Sequence, residues 1–173
     1  MRGAINRDSP HLIGHRLRAP MQRASLNGDC PYLLRFAGYA AVFDRVDRGG
    51  DVVRAGAFAA SLREGRIVPL LWQHRAGTVV GTVETLAEDA RGLRVVARVT
   101  HPTAAALVAR GALTGLSFGY RVRASRGVRP RELLKLDLAE VSLVAAPMQP
   151  AARVIAVDSA FVIPAKAGIS TVR

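Results

Sequence analysis

The chain has 173 residues, half of them hydrophobic, so it is long enough for one sizeable core and too apolar for a disordered segment. Its formal charge of +12 is carried almost wholly by arginine. It points either to polyanionic surroundings (nucleic acid, membrane headgroups, an acidic protein) or to arginines spread over a solvated surface. The single cysteine, Cys30, excludes an internal disulfide; no apolar run approaches the roughly 20 residues of a membrane helix, and no signal peptide opens the chain, so a cytoplasmic protein is the default expectation.

Residues 1–32 mix Arg, Pro, Gly, Asn and His without periodicity and read as a flexible basic extension with room for one strand. The core begins at residues 33–43, anchored by Phe36, Tyr39 and Phe43. Gly49-Gly50 marks a turn, and Asp51 leads into Val52-Val53. Ala57, Phe58 and Leu62 fall at helical spacing and predict a short helix over 55–62. Residues 67–72 form a short continuous apolar run, which suits a strand buried on both faces. Two strand-like runs, 78–86 and 93–100, flank the turn at Glu88 to Gly92 and predict a hairpin.

Residues 103–110 are alanine-rich and helix-prone; Pro102 suits a first turn, and Gly111 can stop the helix in the left-handed conformation. Then Leu116, Phe118, Tyr120 and Val122 alternate with Ser117, Gly119, Arg121 and Arg123, which is strand periodicity. Residues 124–130 read as a basic loop, and 132–145 as one long strand or two in line, ended by Pro147. From Ala156 the chain reads as a tail. The pattern divides into an extension (1–32), a folded domain (33–157) and a tail (158–173), and predicts a mainly-β (α+β) domain, a closed or partly closed barrel flanked by short helices.

Ser117 sits at the start of a strand between Gly115 and Gly119, which leave room for another backbone to approach. Taken alone it also reads as a small residue in a glycine-rich turn. A serine hydroxyl becomes a nucleophile when a base takes its proton, and histidine is the usual base. His74 follows the buried run ending at Trp72 and so stands at a strand end, where side chains emerge; His101, before Pro102, looks like a helix cap. Parity places Glu140 on the face of Leu134, Leu136, Leu138, Ser142 and Val144 unless a bulge near Ala139 turns it away. A carboxylate on that apolar face needs a partner, and a histidine is a natural one. Asp137 has the wrong parity.

The stretches Val68-Pro-Leu-Leu-Trp-Gln-His74, Gly111-Ala-Leu-Thr-Gly-Leu-Ser117-Phe-Gly-Tyr120 and Leu136-Asp-Leu-Ala-Glu140-Val-Ser-Leu-Val, taken in order with Gly38-Tyr-Ala-Ala-Val-Phe43 and Gly49-Gly-Asp-Val-Val53, resemble the head-maturation (prohead) proteases of tailed bacteriophages. The resemblance spans roughly residues 36–154. It implies a β-barrel flanked by helices, similar to the herpesvirus assemblins, and a serine endopeptidase with Ser117 as nucleophile, His74 as general acid and base, and Glu140 as orienting carboxylate, at the position where assemblins carry a second histidine. Asp51, also part of the family pattern, is the alternative for the third role, and Arg153 is at the family position for an oxyanion-stabilising arginine. The implied partners are the phage major capsid protein and scaffold segments, and the chain itself, with room for a homo-oligomer, inside the immature head in the host cytoplasm. No cofactor, metal or membrane is expected. The alternatives from other classes are a catalytically inactive scaffold-like assembly protein, a basic nucleic-acid-binding barrel, and a small esterase. Aromatic residues are only 5% of the chain and do not interleave with the arginine cluster after Tyr120, against the second. No Gly-x-Ser-x-Gly elbow surrounds Ser117, against the third.

Overall fold

The computed structural model describes residues 34–158; the expected extension over 1–32 and the expected tail beyond Asp158 lie outside the described residues. Eight strands and two short helices follow in chain order: β1 (Leu34–Val42), β2 (Asp51–Val53), α1 (Ala59–Arg63), β3 (Pro69–Trp72), β4 (Val79–Glu88), β5 (Gly92–Val99), α2 (Pro102–Ala109), β6 (Gly115–Arg126), β7 (Arg131–Val144) and β8 (Val154–Asp158). The mainly-β expectation holds.

All eight strands belong to one sheet in the order β2-β7-β3-β4-β5-β1-β8, with β6 paired to β7. The pairs β4/β5, β1/β5, β1/β8, β3/β4 and β6/β7 are antiparallel, whereas β2 and β3 run parallel to β7. The end strands β2 and β8 do not pair with one another in this order. A narrow link joins the head of β6 to the approach to β8: Gly115 bridges Arg153, Leu116 N–H donates to Ala152 O at 3.0 Å, and Val154 N–H donates to Thr114 O at 2.8 Å.

The core is built from alternate residues of these strands, including Leu34, Phe36, Leu70, Val95, Val99, Leu116, Leu136, Val141 and Leu143, all fully buried or nearly so. Each such side chain contributes about 1.5–3 kcal/mol on leaving water. Phe58, just before α1, closes one side and meets Phe118 of β6 edge-on, ring centroids 5.1 Å apart at 81°. Gly111 has φ +72° and ends α2 as expected. His101 caps α2, its ring nitrogen accepting from Ala104 N–H at 3.4 Å, as its place before Pro102 suggests.

Three boundaries differ from the sequence reading. The first helix is only Ala59–Arg63; the preceding residues form turns that bury Ala57 and Phe58 fully. The β6–β7 ribbon takes the first three residues of the expected basic loop, Ala124 to Arg126, and leaves 127–130 as the turn. The chain after Ala156 is not a tail at once: β8 runs to Asp158 on the outer edge of β1. Its exposed pattern hid it, with Ile155 57% exposed.

Candidate active site

Three pieces of backbone that neighbour one another in the sheet build the site. The first is the turn after β3. Gln73 and His74 are both left-handed, at φ +50° and +60°, a conformation that ordinary L-residues rarely adopt. Each such residue stores on the order of 1–3 kcal/mol, and persists only where neighbours hold it. Here β7 holds it. Gln73 N–H donates to Leu143 O at 3.0 Å, Gln73 Oε1 accepts from Ala145 N–H at 3.3 Å, and His74 N–H donates to Ser142 Oγ at 3.1 Å.

The second piece is β7 beyond Ala139. The register with β6 pairs Tyr120 with Leu138 but Gly119 with Glu140, so Ala139 is an extra residue on β7. This bulge overturns the simple parity expected for Glu140. Leu136 and Leu138 face the core before it, and Val141 and Leu143 face the core after it. Glu140 and Ser142 therefore leave the apolar face instead of standing on it. Glu140 nevertheless has the partner anticipated for it: His74 Nδ1 lies 2.6 Å from Glu140 Oε1. The other carboxylate oxygen, Oε2, accepts from Ser142 Oγ at 2.6 Å. The Glu140 side chain is only 12% exposed, whereas that of His74 is 44% exposed.

The third piece is the head of β6. Ser117 lies directly opposite Ser142, and Gly119 directly opposite Glu140. Opposed residues of an antiparallel pair project to the same face, so Ser117, Gly119, Glu140 and Ser142 share one. Ser117 is 7% exposed, more enclosed than its place on a polar strand face suggests, and its hydroxyl has no hydrogen-bond partner among the described residues. Gly119 is not an open approach for another chain. A Cβ there would lie 2.6 Å from Glu140 Oε1 and 2.9 Å from its Cγ, so the glycine is the seat on which the carboxylate rests.

A carboxylate on Nδ1 leaves that nitrogen as the donor, and the lone pair on Nε2, where no described residue competes for it. The arrangement can thus take a proton at Nε2 and stabilise the resulting imidazolium from the Nδ1 side, and the unbonded Ser117 hydroxyl belongs to the strand paired with Glu140 and Ser142.

The remaining sequence candidates are elsewhere or otherwise engaged. Asp51 lines a small cavity of about 20 Å³ together with Ser117, Gln149 and Asp47. Its carboxylate accepts from Arg131 Nε at 2.8 Å and Nη2 at 2.5 Å and from Tyr120 Oη at 3.2 Å, and no bond joins it to His74 among the described residues. The Arg131 hydrogen bonds hold the Asp51 carboxyl below the usual aspartate range, while burial, and then the Asp51 charge, push the Tyr120 hydroxyl up. Asp137 is bound to Arg123. Arg153 donates to Pro150 O at 2.8 Å and to Thr114 Oγ1 at 3.1 Å, and its backbone bridges Gly115, two residues before Ser117. Among the described residues no group of three or more His, Cys, Asp or Glu could hold a metal ion. The sequence reading gave no role to Ser142 or Gln73. Ser142 was detectable as a hydroxyl two residues from Glu140, flanked by Val141, Leu143 and Val144.

The mainly-β sheet thus carries a histidine held by a carboxylate, with a serine on the paired strand of the same face. Over residues 23–162 the chain matches the caudovirus prohead serine protease family, and it belongs to that family. It is 38% identical over 94 residues to the prohead protease of Enterobacteria phage HK97, a match covering 50% of this chain and 42% of that protein. The chain thus spans about two fifths of the length of the curated relative it matches. Its fold is similar to that of varicella-zoster virus protease (TM-score 0.52, 17% identity, 73% of this chain and 64% of that one). It is likewise similar to KSHV protease in complex with a hexapeptide phosphonate inhibitor (TM-score 0.51, 16% identity, 73% and 65%).

Proposed function

We propose that the chain is a serine endopeptidase of phage head maturation, with Ser117 as nucleophile, His74 as general base and acid, and Glu140 as the carboxylate that orients His74. The observation that carries this reading is the 2.6 Å contact of His74 Nδ1 with Glu140 Oε1 on the face shared with Ser117. In the first step Ser117 Oγ attacks the scissile carbonyl carbon and its proton passes to His74 Nε2. Glu140 stabilises the imidazolium without taking its proton. The imidazolium then protonates the departing amine, the peptide C–N bond breaks and an acyl-serine ester remains. Water, deprotonated by His74, hydrolyses that ester and returns Ser117 to its starting form.

By its membership of the prohead family, the substrates in this reading are segments of the major capsid protein and scaffold and the chain itself, cut within the immature head in the host cell. A partly closed barrel is the corresponding reading of the sheet, supported by the Gly115–Arg153 bridge between β6 and the approach to β8. The test is co-expression with the neighbouring capsid gene, with intact masses of capsid protein and protease measured for wild type and Ser117→Ala. Wild type should shorten the capsid protein and its own chain, whereas Ser117→Ala should leave both at full length. Equal processing by the variant would refute the assignment of the nucleophile.

A further inference from the structure

Ser142 stands out among the polar residues that the reaction does not use. It is completely buried, at 0% exposure, in a strand segment that otherwise supplies Val141, Leu143 and Val144 to the interior. An alanine would satisfy the packing and carry no polar atom to be desolvated. Its hydroxyl instead makes two bonds, both to the candidate catalytic pair: it donates to Glu140 Oε2 at 2.6 Å and accepts from His74 N–H at 3.1 Å. One oxygen thereby fixes both partners of the Nδ1–carboxylate contact.

We propose that Ser142 is a positioning residue that locks the Glu140 carboxylate and the left-handed His74 backbone into one arrangement, so that His74 Nε2 is aimed at the face carrying Ser117. The inference deepens the protease reading and rests on it for its kinetic consequence. Three features make the role specific. The Glu140 carboxylate can rotate about its last torsion, and its seat on Gly119 has no side chain to stop it; the Ser142 hydrogen bond to Oε2 is what fixes the plane so that Oε1 meets Nδ1. The His74 backbone sits at φ +60°, and its N–H would lose its acceptor in an alanine variant. Ser142 lies directly across from Ser117 on β6, and on its other side pairs with Leu71 of β3, the strand that leads into His74.

The experiment compares wild type, Ser142→Ala and Ser142→Thr by two readouts. The first is the kcat and KM for cleavage of a capsid-derived peptide. Loss of a hydrogen bond to a charged group corresponds to about a ten- to hundredfold fall in kcat for Ser142→Ala. KM should stay within about twofold, because Ser142 is buried away from any bound chain. Ser142→Thr, which keeps the hydroxyl, should recover most of the rate. The second readout is the downfield proton resonance of His74 Nδ1–H in the Ser117→Ala background, which needs no turnover. It should shift and broaden in Ser142→Ala and persist in Ser142→Thr. If Ser142→Ala fails to fold, Ser142→Cys, with a near-isosteric but weaker donor, should show the same changes in smaller degree.

Unchanged kcat and an unchanged resonance in the alanine or cysteine variant would overturn the positioning role. So would a loss that appears only in thermal stability. If wild type cleaves nothing while the resonance still responds to Ser142, the protease reading fails and the positioning role stands.

Discussion

Gly119→Ala is the substitution that most sharply separates the site from the fold. The backbone at Gly119 is not left-handed, so alanine introduces no backbone strain. Its added Cβ, however, would stand 2.6 Å from Glu140 Oε1 and 2.9 Å from Glu140 Cγ. Non-bonded carbon and oxygen atoms settle near 3.5 Å, so the end of the Glu140 side chain must retreat by about 0.9 Å. Starting from 2.6 Å, a displacement of that size can stretch the Oε1–Nδ1 contact to at most about 3.5 Å, beyond a good hydrogen bond. The atoms that give way are the flexible end of a side chain, so the fold should lose less than about 1 kcal/mol. If His74 and Glu140 act as proposed, a displacement of this size is expected to lower kcat by about a hundredfold. The assay is steady-state cleavage of a capsid-derived peptide, with the thermal midpoint recorded alongside. The same substitution in a Glu140→Ala background should have almost no further effect, because the group it displaces is gone. Full activity in Gly119→Ala, or an undiminished loss in the Glu140→Ala background, would refute the view that Gly119 exists to seat the carboxylate.

Other outcomes follow from the same geometry. His74→Ala should abolish turnover, whereas Glu140→Gln should keep activity measurable above background, some 10²–10⁴ below wild type, because the orienting group is partly replaceable and the base is not; if Glu140→Gln is fully active and Asp51→Asn is dead, the third role passes to Asp51. In acid, the Asp51 carboxylate, held below its usual value of 3.8 by Arg131, contributes stability that is present above that value and lost as pH falls through the folded value. Asp51→Asn should therefore make acid unfolding below pH 4 shallower, and an identical acid transition would count against the Asp51–Arg131 pair as a clamp between β2 and β7. Of the six basic residues on the β6–β7 ribbon, Arg123, Arg126 and Arg131 already hold Asp137, Glu132 and Asp51, which leaves Arg121, Arg129 and Lys135 as the cations available to an acidic substrate. Raising salt from about 0.05 to 0.5 M should then slow cleavage of an acidic scaffold segment by several-fold and barely affect a neutral peptide; equal responses would remove the ribbon from recruitment.

The periodicity of the chain revealed most of the fold. Its strands are patterned by burial, and Leu116 and Phe118 against Ser117 and Gly119 is an alternation that the sheet preserves. His74 was legible as a strand-end residue because the apolar run before it stops at Trp72. What was not legible depends on pairing. The left-handed Gln73 and His74 carry no glycine to announce them, and their conformation is imposed by hydrogen bonds from β7, some 70 residues later in the chain. The strand β8 failed the same way: four of its five residues are exposed, and it exists because β1 offers an edge, not because its sequence alternates. Asp51 stood as the alternative to Glu140 because it is part of the family pattern; only the spatial position of Arg131, 80 residues away, shows that its charge is already taken.

The bulge at Ala139 explains why Glu140 meets His74 although it does not stand on the face that simple parity gave it. β7 is the strand on which β2, β3 and β6 all pair, and it must serve two purposes along its 14 residues. Ahead of the bulge it buries Leu136 and Leu138. Continued without interruption, that parity would drive Glu140 and Ser142 into the same apolar layer, where Glu140 would have no access to the exposed His74 ring. One extra residue reverses the parity. Val141 and Leu143 inherit the core, and Glu140 and Ser142 turn to the face of Ser117. A bulge of this kind re-aims side chains without breaking the strand, and it increases the local twist. Deleting Ala139 is therefore the one-residue change that would exchange site and core, and the loss of fold and activity together, in contrast to Gly119→Ala, would mark the bulge as the joint between them.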